Sequence, residues 1–546
     1  MSCPALALAK AGNPGLRPFL KCTEGRREVR VNAITPFIQW QKGPNLRQII
    51  DPMRLILCSL CLAVSLPALT QPKTVEAIRK SINEKNIRAE LEFLASDAMR
   101  GRDTGSPEID QAAAYLAEQF RSFGLSAVAG AVGYYQPVKL ERINPAASGQ
   151  VLLDTSVLAL GKGWFILSAE SKPSVEITGE LVYAGWGTQQ DLAGKDLKGK
   201  IMLTWVGTEG ENDVLKALGA DAQRKRELAV QAGAVAVIEM YNLGGMPWTR
   251  VASFSGRPRI AIVSEGSSLT HIAVEKPADD LLAALQNSPR KATIRYQGYS
   301  RSEIPAKNVI ALLPGKDKKL RDEYVVLSAH YDHVGVRKGP NSPDSIYNGA
   351  RDNAIGTVAL VEAARYFSKN KPSRSLVFLA VTAEEKGLLG SNWYTNHPLI
   401  DLRKTVFNLN TDGAGYNDTT LLNVIGLEKT TAEADFLKAG EPFGLKVIGD
   451  PVPEQNLWRR SDNYNFARMG VPSVNFCTGL TAFDAEINKY YHQPADEAGS
   501  LNFSYLVRYY SSLLNAWTAV INAPAAPFWK PGDSQEELGK KLYGRE

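Results

Sequence analysis

Three apolar runs in the second half of the chain stop abruptly in side chains able to bind metal. The run 324–329 ends in His330-Tyr331-Asp332-His333, the run 375–381 in Thr382-Ala383-Glu384-Glu385, and the run 405–410 in Thr411-Asp412-Gly413. Two further segments carry the same residue types. Gly349-Ala350-Arg351-Asp352-Asn353 leads into a helical stretch, and Tyr490-Tyr491-His492-Gln493-Pro494-Ala495-Asp496 ends in a proline turn. His330, Asp352, Glu385, Asp412 and His492 make an imidazole and carboxylate set without thiolate, which is donor chemistry suited to zinc. Five donors exceed the three plus a water that one open catalytic zinc needs. They fit two ions sharing a bridging carboxylate, a pair that can activate water and polarise a carbonyl together. Consecutive strand-end side chains point in different directions, so one glutamate of the Glu384-Glu385 pair can ligate while its neighbour faces the water. Asp332, on the same strand face as His330, is expected to accept the ring N–H of that histidine. The chain has five histidines in all. Of the two outside these strings, His271 and His397, neither carries a signal, and His333 reads as supporting or structural.

For these groups to meet, the strands must lie side by side with their carboxyl ends on one rim, where sites gather in open α/β sheets. From residue 308 onward, apolar runs (308–313, 324–329, 375–381, 405–410, 473–476) alternate with helical stretches (357–366, 506–521). That alternation predicts a mixed, mainly parallel α/β sheet with helices on both faces. Residues 75–97 carry Ile78, Ile82, Ile87, Leu91 and Leu94 at helical spacing, and 109–123 repeat the pattern after a Ser-Pro helix start. Between 150 and 298 the pattern changes to short β-rich runs (180–183, 200–205, 234–240, 259–263) and one helix at 221–233, which predicts a separate α+β module. The expected organisation is a leader 1–70, an N-terminal part of the catalytic domain 71–148, the inserted module 149–298, the catalytic domain 299–525 and a loosely held polar tail 526–546.

Composition narrows the function classes. The 546 residues are 44% hydrophobic and 22% charged, and exceed what one hydrophobic core holds. The net charge of +6 arises entirely within residues 1–70, so no basic face for nucleic acid is expected. Met53-Arg54, the apolar run 55–68 and the following Leu69-Thr70 have the make-up of a secretory signal with its start at Met53, and the run is short for a membrane span. The expectation is an exported protein, periplasmic or extracellular, with no stable membrane association once the signal is removed. Cys3, Cys22, Cys58 and Cys61 lie in that leader. The rest of the chain keeps Cys477 alone, which reads as a small buried hydrophobe and leaves no internal disulfide.

The strings 328–335 (SAHYDHVG), 349–356 (GARDNAIG), 382–391 (TAEEKGLLGS), 410–415 (NTDGAG), Ser461-Asp462 and 491–497 (YHQPADE) resemble, in order, motifs of the co-catalytic zinc aminopeptidase family. That family also includes glutamate carboxypeptidase, glutaminyl cyclases and the transferrin receptor. The resemblance covers about 75–140 and 300–525. It implies two zinc ions, one on His330, Asp352 and Asp412, the other on Glu385, His492 and the same Asp352 as bridge. It also implies that Glu384 is the general base toward the attacking water and then the acid toward the leaving amine. Tyr491 is similar to a tyrosine that hydrogen-bonds the tetrahedral oxyanion. The strings 179–187 (GELVYAGWG), 196–203 (DLKGKIML) and 231–240 (QAGAVAVIEM) resemble the protease-associated domain, which in relatives sits beside the active site and narrows access. Arg351 departs from the pattern, since Asp or Asn is usual before the bridging Asp, and Ile355 replaces a residue that is usually small. Arg351 is expected either to meet an acidic side chain or free carboxylate of the substrate, or to be salt-bridged within its own loop. The function implied is hydrolysis of peptide substrates at free amino termini. The alternatives are a carboxypeptidase or dipeptidase on the same scaffold, glutaminyl cyclisation, and a non-catalytic receptor-like binding protein, against which the complete ligand set argues.

Overall fold

The apolar runs pair edge to edge into an eight-stranded sheet. Its strands in chain order are β1 (Tyr135–Pro137), β2 (Lys307–Leu313), β3 (Tyr324–His330), β4 (Ser375–Val381), β5 (Thr405–Thr411), β6 (Leu421–Ile425), β7 (Lys446–Ile448) and β8 (Ser473–Thr478). The spatial order is β1-β2-β4-β3-β5-β8-β6-β7. The central four, β4, β3, β5 and β8, run parallel, while β2 and β6 flank them antiparallel. His330 stands opposite Val381 and Ser328 opposite Asn410, so the carboxyl ends of the parallel strands open on one rim. The computed structural model describes residues 73–545 apart from 264–268, 288 and 339–342. The expected leader 1–70, with its signal-like run, lies outside the described residues.

Burial on both faces explains why these strands read as continuous apolar runs. In β3, Val325, Leu327 and Ala329 enter one core and Val326 the other; in β4, Leu376, Phe378 and Ala380 oppose Val377, Leu379 and Val381. Helices Glu84–Leu94, Pro107–Ser122, Ile355–Lys369 and Phe503–Asn522 cover the first face, and Tyr394 and Phe466 of Leu389–Asn396 and Asn463–Arg468 cover the second. The Ser-Pro start forms as predicted: the Ser106 hydroxyl accepts the Ile109 N–H, with Pro107 in the first turn. The mixed sheet with helices on both faces is the fold class the sequence predicts.

The middle of the chain builds a second eight-stranded sheet from strands between Ser148 and Gln297, with its own core around Trp164, Ile201, Ile238 and Ile294. The strand Arg259–Ile262 does not join it, although its sequence position groups it with that module. It pairs with Leu140–Asn144, which pairs in turn with Ser300–Ile304. This three-stranded sheet stands where the chain leaves and re-enters the catalytic part, and the Arg301 guanidinium donates to Glu141 at 2.6 and 2.8 Å across it. Ile260 and Ile262 pack with Val138, Leu140 and Trp393, which anchors the strand beside the rim.

The expected loose tail is corrected by the structure. Trp529 is 1% exposed and donates its indole N–H to the Gly470 carbonyl at 2.9 Å. Glu536–Tyr543 is helical, and the Tyr543 hydroxyl donates to the Thr405 carbonyl at 2.5 Å. Polar composition conceals these aromatic anchors, each worth about 1.5–3 kcal/mol when buried. Among the described residues no helix is long and apolar enough to cross a membrane.

Candidate active site

The rim gathers two donor clusters. His330, Asp352 and Asp412 each offer an atom within 4.8 Å of the others, and so do His333, Asp352, Glu385 and His492. Asp352 belongs to both and splits its oxygens between them: Oδ1 lies 3.3 Å from His330 Nε2, and Oδ2 lies 3.0 Å from His492 Nε2. Asp412 Oδ1 is 3.1 Å from His330 Nε2, and Glu385 Oε1 is 3.1 Å from His492 Nε2 and 2.8 Å from His333 Nδ1. The His330 Nδ1–H donates to the Asp332 backbone carbonyl at 3.1 Å, which leaves the Nε2 lone pair facing the carboxylates. Glu385 Oε1 and both ring nitrogens of His333 are buried, and despite the 2.8 Å approach of Oε1 to Nδ1 none of the three makes a well-aligned hydrogen bond. Imidazole and carboxylate lone pairs converging in this way fit a divalent cation, which satisfies them all without a proton.

The surrounding backbone holds the donors in place. Asp332 sits differently from expectation: its carboxylate is 3.7 Å from the His330 ring nitrogen and accepts instead the backbone N–H groups of Glu384 at 3.0 Å and Glu385 at 3.3 Å. The reason is the sharp turn after β4, where Ala383 takes φ 56°, presenting both amides to Asp332. Asp496 performs the same service for the bridging residue by accepting the N–H groups of Arg351 at 2.9 Å and Asp352 at 3.2 Å. Arg102, fully buried, donates to the carbonyls of Tyr331, Asn348 and Gly349 at 2.9, 2.7 and 2.9 Å, tying the end of β3 to the loop before Asp352. The Thr357 hydroxyl donates to the His330 carbonyl at 2.8 Å. His492, at φ 53°, occupies the left-handed region where non-glycine residues cluster at functional sites.

Burial raises the Glu384 carboxyl well above the carboxylate range; His330 opposes this, and Asp412 and Glu385 add to it. Its side chain keeps 13% exposure, with Oε2 4.0 Å from His330 Nε2, so it reaches the cavity. Burial also works against ionisation of Glu385, but His492 and His333 outweigh it and hold the carboxyl well below its usual range. Burial lowers the proton affinity of His492, yet Glu385 and Asp352 override it and push the ring up to about 10. One glutamate is thus suited to carry a proton and its neighbour to remain anionic as a ligand.

The floor of a cavity of about 820 Å³ is formed by Asp352, Glu384, Glu385, Asp412 and His492. Arg259 to Ile262 form one wall, and Arg459, Arg460, Leu480, Phe483 and Tyr491 stand among the others. The Tyr491 ring stacks on His492 at 4.1 Å, and its hydroxyl accepts from Arg460 at 3.0 Å. Arg351 fulfils neither expectation. It is 3% exposed, its guanidinium lies 4.3 and 3.6 Å from the rings of Tyr416 and Tyr490, and it donates to the Ser500 carbonyl at 3.0 Å, with no ion pair among the described residues. Cys477 donates its Sγ–H to the Asp412 carbonyl at 2.9 Å, and burial pushes the thiol well above its ordinary value, which removes it as a nucleophile. The five expected ligands, Glu384 and Tyr491 meet around one space. Arg102, Asp496 and Arg460 join them without having been assigned roles from sequence, and His333, read from sequence as supporting or structural, stands within the second donor cluster. For His333 the available signal was its place three residues after His330, at the same strand end.

A mixed α/β sheet that brings two such clusters and a protonatable glutamate to the floor of one cavity has the site of a metal-dependent hydrolase. Residues 308–516 match the profile of Peptidase family M28. Aminopeptidase YwaD of Bacillus subtilis (strain 168) is 27% identical over 451 residues, 79% of this chain and 85% of that protein. The vacuolar membrane protease of Saccharomyces cerevisiae (strain YJM789) is 31% identical over 157 residues, 29% of this chain and 15% of that protein. Among solved structures, the aminopeptidase from Aneurinibacillus sp. strain AM-1 is similar at 25% identity, covering 84% of this chain and 98% of that one with a TM-score of 0.49.

Proposed function

We propose that the chain is an exported two-zinc aminopeptidase that removes residues from the free amino termini of peptides. The observation that carries this reading is the division of Asp352, one oxygen toward His330 and the other toward His492. In this reading His330, Asp352 and Asp412 hold one ion, and Asp352, Glu385 and His492 hold the other, with His333 adding a nitrogen beside Glu385. When bound, the zinc pair supplies Lewis acidity that polarises the scissile carbonyl and lowers the pKa of water. Glu384 takes the proton of the attacking water and passes it to the departing amine, a role supported by a carboxyl that retains protons readily. The Tyr491 hydroxyl accepts from Arg460, which leaves its own O–H to donate to the oxyanion. Asp332 keeps Glu384 and Glu385 in register through their backbone amides.

The name of the Bacillus relative supports the amino terminus as the group acted on. The middle segment is read as a protease-associated module that guides substrate, supported by Asp213 of that segment among the cavity-lining residues. Export is inferred from the signal-like run after Met53. The test is the full chain purified with zinc and assayed on leucyl-peptides with free and acetylated amino termini, with metal content measured in parallel. Two ions per chain and cleavage confined to free termini are expected. Equal cleavage of the acetylated peptides would overturn the aminopeptidase reading, and a single bound ion the two-zinc reading. Recovery of the processed chain outside the cytoplasm, with its amino terminus near Thr70, is the outcome expected for export; an unprocessed cytoplasmic chain would remove that inference.

A further inference from the structure

The cavity walls carry more positive charge than the protein's own anions neutralise. Arg259 on one side and Arg459, Arg460 and Arg468 on the other line the same space. None of the four pairs with a carboxylate among the described residues. Arg259 donates to the Leu167 carbonyl at 3.3 Å, Arg459 lies 5.7 Å from the Tyr464 ring, and Arg460 donates to the Gln455 carbonyl at 3.3 Å and the Tyr491 hydroxyl at 3.0 Å. Elsewhere the half-buried Arg301 meets Glu141 at 2.6 Å and the buried Arg374 meets Glu323 at 2.7 Å. Of the floor carboxylates, Asp352, Glu385 and Asp412 belong to the histidine clusters, and Glu384 Oε2 stands 4.0 Å from His330 Nε2. Beyond the floor, Asp213 is the remaining carboxylate among the described lining residues, and Lys386 is occupied by Asp103 at 2.5 Å. Once divalent ions neutralise the floor, the whole cavity is cationic.

We propose that this cavity selects peptides bearing a carboxylate close to the scissile bond, with the arginine walls as its receiver. The proposal rests on the metallopeptidase reading of the floor and names the substrate class for it. A guanidinium binds a carboxylate through two parallel N–H donors and gives up water more readily than an ammonium. Arg460 has its position fixed by Tyr491, beside the ligand His492, so the walls reach to within one side chain of the reacting centre. Ile260, Leu480 and Phe483 line the same cavity and leave room for an apolar side chain next to the charged group. The carboxylate has two sources with the same chemistry: the free carboxyl terminus of a di- or tripeptide, or an Asp or Glu side chain in a longer one. Arg351, the cation that sequence singles out, is buried between two rings and takes no part.

The test uses the full zinc-loaded chain and two matched pairs of peptides, Leu-Gly-Gly as free acid and as carboxamide, and Leu-Glu-amide against Leu-Gln-amide. In at least one pair kcat/KM is expected to favour the carboxylate member by about tenfold at low salt, and the preference should shrink as salt screens it. Preference confined to the first pair identifies the terminal carboxylate as the group received; preference confined to the second identifies the acidic side chain. The double substitution Arg459→Gln with Arg468→Gln should bring the ratio toward one, and Arg468→Glu should reverse it, each at undiminished zinc content. Binding of the same four peptides to the zinc-loaded Glu384→Gln protein, measured by calorimetry, applies the criterion without turnover. Equal affinities and equal kcat/KM within both pairs would overturn the proposal. Failure to hydrolyse any of the four, with carboxylate-selective binding intact, would count against the peptidase reading and leave this inference standing.

Discussion

Buried carboxylates crowd together at two places in this molecule, and the two resolve the crowding in opposite ways. On the rim, Asp352, Glu385 and Asp412 converge with His330, His333 and His492, and Glu385 Oε1 and the His333 nitrogens, though close together, make no well-aligned hydrogen bond. Between the helices Glu84–Leu94 and Ile355–Lys369, Glu90 and Glu362 meet beside a single Arg365 that donates to both. The helix pair has no imidazole and lines no described cavity, and it relieves its repulsion with one guanidinium and a retained proton. The rim has imidazole nitrogen donors, a shared oxygen pair and access to an 820 Å³ cavity, a setting that a divalent cation fits and one guanidinium does not. Acidic clustering alone therefore does not make a metal site; imidazoles and an open approach do.

The strongest way to break that contrast is Asp352→Asn, which removes the charge both rim clusters share. Loss of both ions and a fall in kcat/KM of more than about a hundredfold are expected, read by metal analysis after dialysis and by peptide hydrolysis. Retention of two ions would mean that the clusters do not depend on a bridge. Glu384→Gln separates proton transfer from metal holding: kcat should fall by about 10² to 10⁴ while both ions remain. Parallel loss of metal in that variant would make Glu384 a ligand. His333→Ala sharpens the comparison inside the rim, because His333 touches Glu385 but lies outside the cluster of His330. One ion should bind about tenfold more weakly and the other unchanged, as followed by chelator titration. Equal retention of both would reduce His333 to packing beside the ligands.

How much of this was legible in the sequence follows from the range of each interaction. The parallel strands and their polar ends are local patterns, and Tyr324–His330 and Ser375–Val381 stand where the apolar runs stop. The supports act across distances no local pattern encodes. Arg102 reaches the Tyr331 carbonyl 229 residues away, and Asp496 reaches the Arg351 amide 145 residues away. Both bind backbone atoms, which carry no residue signature. Asp332 was expected to serve His330 because the two lie two residues apart, but the turn at Ala383 brought backbone donors nearer. The Arg259–Ile262 strand looked like part of the middle module because it is contiguous with it, whereas its pairing with Leu140–Asn144 is non-local. The tail was misjudged by composition, which averages Trp529 and Tyr543 into a polar background.

The helix pair offers the smallest effect and the control for the rim. Burial, reinforced by the charge of Glu362, raises the Glu90 carboxyl from 4.5 to about 8, against the pull of Arg365. The folded chain then keeps a proton there that the unfolded chain releases above 4.5, so folding takes up a proton between 4.5 and about 8. Stability must fall as pH rises through that window, by at most about 1.4 kcal/mol per pH unit for one proton, and this contribution is flat below it. Glu90→Gln has no proton to lose and can still donate an amide N–H to Glu362. Its denaturant-derived stability should fall less steeply with pH over the same window, and the variant should gain on the native chain toward the upper end. Identical slopes for the two proteins would show that Arg365 keeps Glu90 ionised throughout, and the contrast between a protonated pair and a metal-ready rim would then have to rest on the imidazoles alone.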